Sequence, residues 1–535
     1  MVNTKNSKTH ENFMGGSSYD INNPILRLRV ISASCYFREP KYYDPKSNND
    51  LYDGLSVAAN NSTSFKVPVN FEYLFSVLND QEEYFNVNGA NGLRHSLEKA
   101  IDEALDFDVE MTLKEAVNLR QVEHMRTTPQ VIMVRAANHP KSKGTNLIRM
   151  YAPKILARAD ESVVQLAYQI NTYGKPIPNS LKKAWKAHVE GLSELQVNKY
   201  KLASNKVKMI DVVNVTHAYS KPLDKLMKGN LKLSVDDTWE ALISTNGSNH
   251  ENWTKAIDLM PHTALLKNLR NFKLNGVDMK KVYEKLVKTA IFSKMMPFHY
   301  YMAYIALKNA NVADELDKSE ISKALEISMN ELPTFKGKVI SLCDNSGSAH
   351  GAHTSEFGST TVANIANLSA VLTAKNSEDG YVGVFGDELK IVSVKKDSNV
   401  FDVMDEITEI GKGIGHSTEN GIWLFFKEAL SKKDKYSSVF VYSDMQAGHG
   451  GLYGENKNDY KDYIWKNSHS HIDVSKLIKK YRSTVNSDAT FFLVQVAGYG
   501  DTLVPEVYKN TYVLSGWSAN ILRFANKMNE INAQL

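Results

Sequence analysis

The chain has little cysteine and no long apolar segment. Only Cys35 and Cys343 occur among its 535 residues, which predicts a reducing, cytoplasmic environment rather than a disulfide framework. No apolar run approaches the ~20 residues that a membrane-spanning helix requires, so we expect no membrane association. The beginning of the chain also lacks the apolar region of a signal peptide. Residues 1–20 are rich in Asn, Lys, Ser and Gly and predict a disordered tail.

Length and charge distribution indicate several domains and one basic region. A chain of this length exceeds one ordinary hydrophobic core, so we expect two or more domains. The net charge is only +4, but residues Lys141 to Lys232 include 17 basic and 6 acidic residues. Such a local excess is typical of a protein that binds a polyanion. A lysine-rich, solvated surface is the simpler alternative, and charge alone does not separate the two.

Residues 21–334 show a helical pattern. Apolar residues recur at steps of three and four along many short segments, and prolines separate them. Thr112 and Glu115 have the spacing of a capping box. Helices of two to four turns with proline-marked breaks predict stacked helix pairs of the HEAT or armadillo type. The predicted helical segments include residues 93–105, 112–119, 163–173, 180–188, 282–292 and 297–308, and the predicted breaks fall at Pro129, Pro140, Pro153, Gly174–Pro178, Pro222, Pro261 and Pro297.

Residues 335–535 show a different pattern, in which strand-like and helical segments alternate. This alternation predicts a doubly wound, mainly parallel α/β sheet. The strand-like runs are almost continuously apolar, which suits a sheet covered on both faces. The predicted strands are residues 339–343, 380–385, 389–394, 438–442 and 490–496, and the predicted helices are 361–373, 400–410, 422–430, 474–481 and 519–528.

The strand that begins this second region ends in oxygen-bearing side chains. Asp344, Ser346 and Ser348 follow the apolar run 339–343, at the edge where open α/β sheets bind ligands. One carboxylate and two hydroxyls supply oxygens for Mg²⁺ without displacing all its waters. The pattern resembles the first motif of a metal-ion-dependent adhesion site in von Willebrand factor A domains. Those domains complete the site with a Thr and an Asp, for which Thr418 and Asp444 stand at suitable places. A Ser-rich turn whose Asp caps the next helix is the alternative.

Other chemistry finds less support in the sequence. We find no phosphate-binding Walker loop, nucleophile elbow or metal-hydrolase His pair, so we expect no enzymatic activity. An aspartyl phosphotransferase with Asp344 as nucleophile is disfavoured, because Ser346 stands where a second Asp would be required. His449, His469 and His471 lie in a Gly- and His-rich insertion after Asp444. We interpret them as ordinary loop residues, because neither a Cys nor an i,i+4 His pair accompanies them.

One segment identifies a known family. The run M-P-H-T-A-L-L-K-N-L at Met260–Leu269 resembles the most recognisable segment of TROVE-module proteins, the Ro autoantigen and its bacterial orthologues. The sheet region carries matching segments at Asp344–Ser348 and Val384–Glu388. One departure is Glu419, where an Asp commonly follows the motif Thr. Further matches in the helical region are Arg27–Arg29, Asn198–Lys201, Asp211–His217 and Pro297–His299.

The resemblance implies a fold and a function. It implies a ring of HEAT-like repeats over residues 21–334, closed by a von Willebrand factor A-like domain over residues 335–535. It implies a monomeric, cytoplasmic protein that binds small noncoding Y-type RNA on the outside of the ring. Single-stranded 3′ ends of misfolded RNA would enter the hole, and an exoribonuclease would be a partner in RNA quality control and the stress response.

The candidate RNA-binding residues are lysines, histidines and one arginine. Lys182, Lys183 and Lys186 share one side of a predicted helix, and phosphates bound there would give a salt-sensitive affinity. Tyr200, His217 and Tyr219 could stack on bases, although a buried structural role for His217 is equally open. The full candidate set is Lys182, Lys183, Lys186, Lys199, Lys201, Lys206, Lys208, His217, His262 and Arg270. The alternative function is a metal-dependent protein-adhesion module, in which the helices serve only as scaffold and a partner's acidic side chain completes the Mg²⁺ shell.

Overall fold

A computed structural model describes most of the chain. The described residues are 9–11, 17–19, 23–34, 90–200, 207–231, 238–329, 332–351, 360–445, 447, 452, 454–464, 471–497, 503, 510–516 and 518–532. They fall into two compact units. The helical unit comprises the described residues within 37–295 and 302–320, and the sheet unit comprises those within 1–36, 296–301 and 321–535. No helix of the described residues is long and apolar enough to cross a membrane.

The N-terminal part of the sheet unit contains two short strands and a helix. Strands β1 (Thr9–Glu11) and β2 (Ser17–Tyr19) pair antiparallel, and helix α1 spans Pro24–Ser34. The paired strands differ from the disordered tail predicted for residues 1–20. Their six residues include Thr and Tyr, which favour extended backbone, whereas the prediction used only the average composition of the tail.

The helical unit consists of short helices that bury one face each. In α7, for example, Leu181, Ala184, Trp185 and Val189 are buried at steps of three and four, as the predicted pattern requires. Contacts join α3 with α4 and α5, α4 with α6, and α7 with α9. The helices from residue 90 to residue 295 are α2 (Ala90–Phe107), α3 (Val109–Gln121), α4 (Thr128–Asn138), α5 (Leu147–Ile155), α6 (Glu161–Thr172), α7 (Asn179–Glu190), α8 (Glu194–Tyr200), α9 (Met209–Thr216), α10 (Lys221–Met227), α11 (Trp239–Asn246), α12 (His250–Leu259), α13 (His262–Lys267), α14 (Leu269–Leu274) and α15 (Met279–Ala290).

Two local predictions in the helical unit are wrong. Asp108, not Thr112, caps α3: its side chain accepts a hydrogen bond from the Met111 amide at 2.9 Å. Thr112 lies one turn inside the helix, where its hydroxyl donates to the Asp108 carbonyl at 2.7 Å. Pro153 lies inside α5 rather than at a break. Because α5 has only nine residues, Pro153 removes a hydrogen bond near its end without interrupting a long helix.

Helices α16 (Pro297–Asn309) and α17 (Glu315–Ser328) precede the sheet. The sheet has six strands in the order β5-β4-β3-β6-β7-β8, parallel except for the edge strand β5. Its further elements are β3 (Phe335–Asp344), α18 (Gly347–Gly351), α19 (Val362–Lys375), β4 (Ser377–Phe385), β5 (Leu389–Val394), α20 (Val400–Lys412), α21 (Thr418–Lys432), β6 (Ser438–Ser443), α22 (Lys457–Tyr460), α23 (Val474–Thr484), β7 (Thr490–Gln495), β8 (Thr511–Ser515) and α24 (Asn520–Asn532).

Helices cover both faces of this sheet. On one face, α21 and α23 pack over Ile340 and Leu342 of β3 in a common core with β6 and β7. On the other face, α19 contacts β3, β4 and β6, and Thr373 bonds to the Tyr442 hydroxyl at 2.6 Å. All six residues of β6 and of β7 are buried, as continuous apolar strands predict. The sequence did not predict β8, which has only five residues, most of them half-buried.

Candidate metal centre and RNA-binding surface

Four of the predicted metal-binding side chains meet at the carboxyl end of β3, and the fifth, Asp444, follows the neighbouring strand β6. Asp344 is the last residue of β3, at the centre of the sheet. Asp444 directly follows β6, the parallel neighbour of β3. Because parallel strands end at the same edge, the two carboxylates belong to adjacent strand ends. Asp344, Ser346 and Asp444 are fully buried, whereas Ser348 is exposed at the beginning of α18.

Thr418 completes a compact group of oxygens. The sequence predicts a loop at Thr418, but the structure places it at the first position of α21, with Ser417 as the cap. Its hydroxyl lies 3.3 Å from Asp344 Oδ2 and 3.1 Å from Ser346 Oγ. Ser346 Oγ lies 3.2 Å from Ser348 Oγ. The motif therefore brings together Asp344, Ser346, Ser348 and Thr418 as expected.

This donor set fits Mg²⁺. Metal–oxygen distances of about 2.1 Å in an octahedron separate neighbouring oxygens by about 3 Å, close to the spacings of the hydroxyls and the carboxylate. Ser348 is exposed, whereas Asp344, Ser346 and Thr418 are buried. A metal ion held by their oxygens would therefore keep a coordination position that faces solvent. The donors are carboxylate and hydroxyl oxygens, which suit a hard cation better than zinc. Within the described residues, no cluster of three or more His, Cys, Asp or Glu side chains is placed to hold a metal ion.

Burial makes an anionic Asp344 costly in the absence of a cation. Desolvation raises the pKa of the Asp344 carboxyl, and hydrogen bonds from Ser443, Ser346 and Thr418 oppose that rise. Ser443 Oγ donates to Asp344 Oδ2 at 2.5 Å, an interaction that sequence reasoning missed. No lysine or arginine among the described residues forms an ion pair with Asp344. A bound cation would supply the missing positive charge.

A buried amide pair fixes the loop that carries Ser346. The side chains of Asn345 and Asn367 of α19 exchange hydrogen bonds at 2.8 and 3.1 Å. Gly411 of α20 approaches this pair so closely that a Cβ there would lie 2.2 Å from Asn345 Oδ1. Asn345 thus positions the loop and does not face the metal-binding group. Sequence reasoning missed Asn367 and Gly411, which lie far away in the chain.

Asp387 and Glu419 hold the beginning of α21. Asp387 accepts a hydrogen bond from the Ser417 amide at 2.9 Å, and its carbonyl accepts one from the Asn420 side chain at 2.7 Å. The buried Glu419 carboxylate accepts from the Ile472 amide. Burial raises the pKa of Glu419 to about 7. The departure at Glu419 therefore serves to join α21 to the chain that follows the His-rich insertion.

The described part of the insertion packs on α21. Trp423 Nε1 donates to Glu455 Oε2 at 2.8 Å, and its ring contacts Tyr460 and Tyr463 at centroid distances of 5.8 and 5.9 Å. Lys427 pairs with the same Glu455 oxygen at 2.6 Å. His449 and His469 lie outside the described residues.

Three of the predicted RNA-binding lysines share the solvent side of α7. Lys183 is exposed, and Lys182 and Lys186 are half-buried. Lys186 lies 3.8 Å from Glu190, whereas Lys182 and Lys183 form no ion pair with any described residue. The three lysines lie on one helix, as the sequence predicts. The charges of Lys182 and Lys183 are available to an anion.

Two exposed aromatic rings follow helix α9, which contacts α7. His217 follows α9 in the left-handed conformation, with φ 49°, and is exposed. The Tyr219 ring is 72% exposed, and its amide donates to Glu190 of α7 at 2.8 Å. The buried alternative for His217 is therefore excluded. We call Lys182, Lys183, Lys186, His217 and Tyr219 the basic surface.

The other residues predicted to bind RNA form ion pairs or hydrogen bonds within the protein, or lie outside the basic surface. Lys199 pairs with Glu240 at 2.9 Å, and Tyr200 receives a hydrogen bond from Arg158 at 3.2 Å. Lys208 is exposed before α9. Lys201 and Lys206 lie outside the described residues.

The assignments of His262 and Arg270 as RNA-binding residues are wrong, because both side chains are buried, at 9% and 7% exposure. His262 Nδ1 contacts Thr289 Oγ1 of α15 at 2.9 Å, and burial lowers the pKa of His262 to about 4. His262 is therefore a neutral core residue that joins α13 to α15. Sequence reasoning placed it on the surface because a histidine in a short helix gives no sign of which side is covered.

Comparison with known proteins identifies this part of the chain. Residues 218–336 match the family model described as the TROVE domain. These residues are therefore similar to the TROVE domain. Met260–Leu269, which carried the resemblance in the sequence, lies inside the matched residues. No curated protein matches the chain.

The fold of this chain is similar to that of a bacterial protein. The crystal structure of the Deinococcus radiodurans RO (RSR) protein matches with a TM-score of 0.54 at 12% sequence identity, over 80% of this chain and 93% of that protein. At this identity the match establishes the fold. It confirms the predicted combination of a helical part with an α/β, von Willebrand factor A-like sheet.

Proposed function

We propose that this protein binds RNA through the basic surface of its helical unit. The observation that carries the proposal is that Lys182 and Lys183, which lack ion-pair partners among the described residues, lie on the helix whose Glu190 binds the amide of the exposed Tyr219, while the exposed His217 follows α9, which contacts the same helix. Lysines supply point charges for phosphates, and exposed rings stack on unpaired bases. The TROVE match and the RO-like fold support the same function.

The finer parts of the proposal follow from the family resemblance. We propose a small noncoding, Y-type RNA as the structured ligand and single-stranded 3′ ends of misfolded RNA as a second ligand within a ring of helices. We further propose a monomeric, cytoplasmic, non-enzymatic role in RNA quality control, with an exoribonuclease as partner.

The basic surface can be tested by changing Lys182, Lys183 and Lys186 together to Ala. We expect weaker binding of an RNA hairpin with a single-stranded extension. The slope of log affinity against log salt should also decrease by about 1 for each phosphate that the variant no longer neutralises. Lys225→Ala is the matched control, because Lys225 is neutralised by Glu194 at 2.8 Å. Equal affinity and equal slope in the triple variant and the wild type would refute the assignment.

A second function is compatible with the first. We propose that the sheet unit holds Mg²⁺ with Asp344, Ser346, Ser348, Thr418 and Asp444. The exposure of Ser348 at the mouth of an otherwise buried oxygen group favours this role. An acidic side chain of a protein partner could complete the coordination, as in an adhesion module. Co-purifying RNA would support the first function, and protein capture that requires Mg²⁺ would support the second.

A further inference from the structure

Helix α15 presents an unusually basic face to solvent. Its buried side consists of Val282, Tyr283, Leu286 and Ala290. The opposite side carries Lys280, Lys281 and Lys288, and Lys294 follows in the next turn; all four lysines are exposed. Glu284 is the single acidic residue on this side of the helix. We call these four lysines together with Phe292 the α15 face.

The lysines of the α15 face are not neutralised within the part of the chain that the structure describes, where none of them pairs with a carboxylate. Lysines on neighbouring helices behave differently. Lys255 of α12 pairs with Glu251 at 2.8 Å, and Lys273 of α14 pairs with Asp314 at 2.6 Å. Lys285 of α15 itself donates to the carbonyls of Ile257 and Asp258 at 2.7 and 2.9 Å. The α15 face therefore combines several positive charges that have no anionic partner there.

A fixed and exposed aromatic ring stands at the end of this face. Phe292 is 83% exposed and the preceding Ile291 is 55% exposed. The backbone of this turn is held by bonds from the Phe292 amide to Thr289 at 3.2 Å and from the Ser293 amide to Ala290 at 2.9 Å. The Ser293 hydroxyl accepts from the Met295 amide at 3.2 Å. Exposure of Phe292 is thus imposed by an ordered turn, at the cost of leaving a large apolar ring in water.

We propose that the α15 face is a second RNA-binding surface, which binds a short run of unpaired nucleotides. A base stacks on Phe292, and Lys281, Lys288 and Lys294 bind the flanking phosphates. Lys281 and Lys288 are about 10 Å apart along the helix axis, and Phe292 lies about 6 Å beyond Lys288. This inference rests on the proposed RNA-binding function but concerns a different surface, to which it assigns unpaired RNA.

Charge favours RNA over a protein as the occupant. An apolar protein interface depletes lysine at its centre, whereas here lysines flank the exposed ring on both sides along the chain. A groove that combines cationic side chains with a stacking ring is the usual means of binding single strands without sequence preference. The positive charge of this surface is supplied by lysine alone, so we expect binding to phosphate rather than base-specific readout.

Phe292→Ala in the full chain tests this surface, with a fluorescently labelled oligouridylate as the probe and fluorescence anisotropy as the readout. We expect the variant to bind the oligonucleotide about tenfold more weakly, the effect typical of removing one stacked base. Phe292→Trp should retain the wild-type affinity because it retains a stacking ring. Lys281→Ala with Lys288→Ala should reduce the salt slope by about 0.7 for each phosphate of a single strand that is no longer neutralised.

Phe107→Ala is the matched control. Phe107 is also an exposed phenylalanine of the helical unit, at 54%, but Asp106 and Asp108 flank it in the chain. Its removal should not change oligonucleotide binding. Thermal unfolding of all variants would show whether each is folded, and Phe292→Ala should not lower the Tm because its ring is already in water.

The outcomes separate this inference from the proposed function. Loss of oligouridylate binding in Phe292→Ala, with hairpin binding retained, supports the α15 face. Unchanged oligouridylate binding in Phe292→Ala would overturn it, while the hairpin titration of the Lys182, Lys183 and Lys186 variant still tests the basic surface by itself. A Phe292→Ala variant that binds RNA normally but loses self-association or an acidic peptide would assign the face to a protein and equally overturn the proposal.

Discussion

The two units differ in how their functional side chains are positioned. In the sheet unit, Asp344 ends β3 and Asp444 follows the adjacent parallel strand β6, so the topology alone brings them to one edge. In the helical unit, the role of a side chain depends on which neighbour covers it: His217 is exposed, whereas His262 is buried against α15. Strand order therefore determines one candidate site, and the packing of individual helices determines the other.

This difference predicts that metal binding in the sheet unit depends strongly on single residues. Asp344→Asn should abolish the rise in Tm that Mg²⁺ produces, because it removes the only carboxylate of the first motif. In EDTA the variant should be as stable as the wild type or more stable, since burial raises the pKa of Asp344 and makes its charge costly. Thermal unfolding with and without Mg²⁺ measures both effects.

The exposed Asp397→Asn in the same unit is the control and should leave the Mg²⁺ effect intact. An Asp344→Asn variant that Mg²⁺ still stabilises to the same degree would contradict the assignment of the metal centre.

The loop beside the metal centre should be sensitive to packing as well. Gly411→Ala places a methyl group against Asn345 Oδ1 and should destabilise the protein by about 1–3 kcal/mol. Asn345→Ala removes the obstructing amide, so the double variant should be more stable than the sum of the single changes predicts. Chemical denaturation of the wild type, the two single variants and the double variant gives the coupling free energy between Gly411 and Asn345. Strict additivity would show that the Asn345–Asn367 pair does not define the loop.

Histidines in the helical unit should divide into two functional classes. His262→Gln should lower stability by about 1 kcal/mol because the buried hydrogen bond to Thr289 is removed, with RNA affinity unchanged. His217→Asn, which suits the left-handed backbone at this position, should weaken RNA binding and leave the Tm nearly unchanged. RNA titration and thermal unfolding of both variants distinguish the two classes. Weaker RNA binding in His262→Gln together with a lower Tm in His217→Asn would contradict the assigned roles.

The smallest expected effect is an opposite response of the two units to pH. Burial lowers the pKa of both His188 and His262 to about 4, below the usual value near 6.5. Protonation then favours the unfolded chain, so the helical unit loses stability as the pH falls from about 7 toward 4, by about 0.7 kcal/mol for each histidine between pH 7 and 6. Burial raises the pKa of Glu419 to about 7, so its contribution is present below about pH 4.5 and is lost as the pH rises through 7.

Hydrogen exchange measured in EDTA at several pH values resolves the two units. After correction for the intrinsic pH dependence of amide exchange, acidification from pH 7 to 6 should lower the protection factors around α6, α7 and α13 and should raise them around α21. His188→Gln with His262→Gln should remove the first effect. Protection factors that change in the same direction in both units would contradict this difference.

The sequence predicts the sheet unit better than the helical unit for physical reasons. Continuous apolar strands such as β6 carry a strong local signal, and the residues that follow them form the site. Ser443, Asn367 and Gly411 were missed because their interactions join distant parts of the chain. In the helical unit, the short periodic segments predicted α7 and α15 well. Arg270 was misassigned because its burial depends on neighbouring helices that the sequence alone does not position.

The division of roles between the units has one direct test, an RNA-hairpin titration at several salt concentrations. It compares the wild type with the combined Lys182, Lys183 and Lys186 to Ala variant and with Asp344→Asn. We predict weaker binding and a smaller salt slope for the lysine variant, and wild-type affinity and slope for Asp344→Asn. Loss of binding in Asp344→Asn together with unchanged binding in the lysine variant would contradict the assignment of RNA binding to the helical unit.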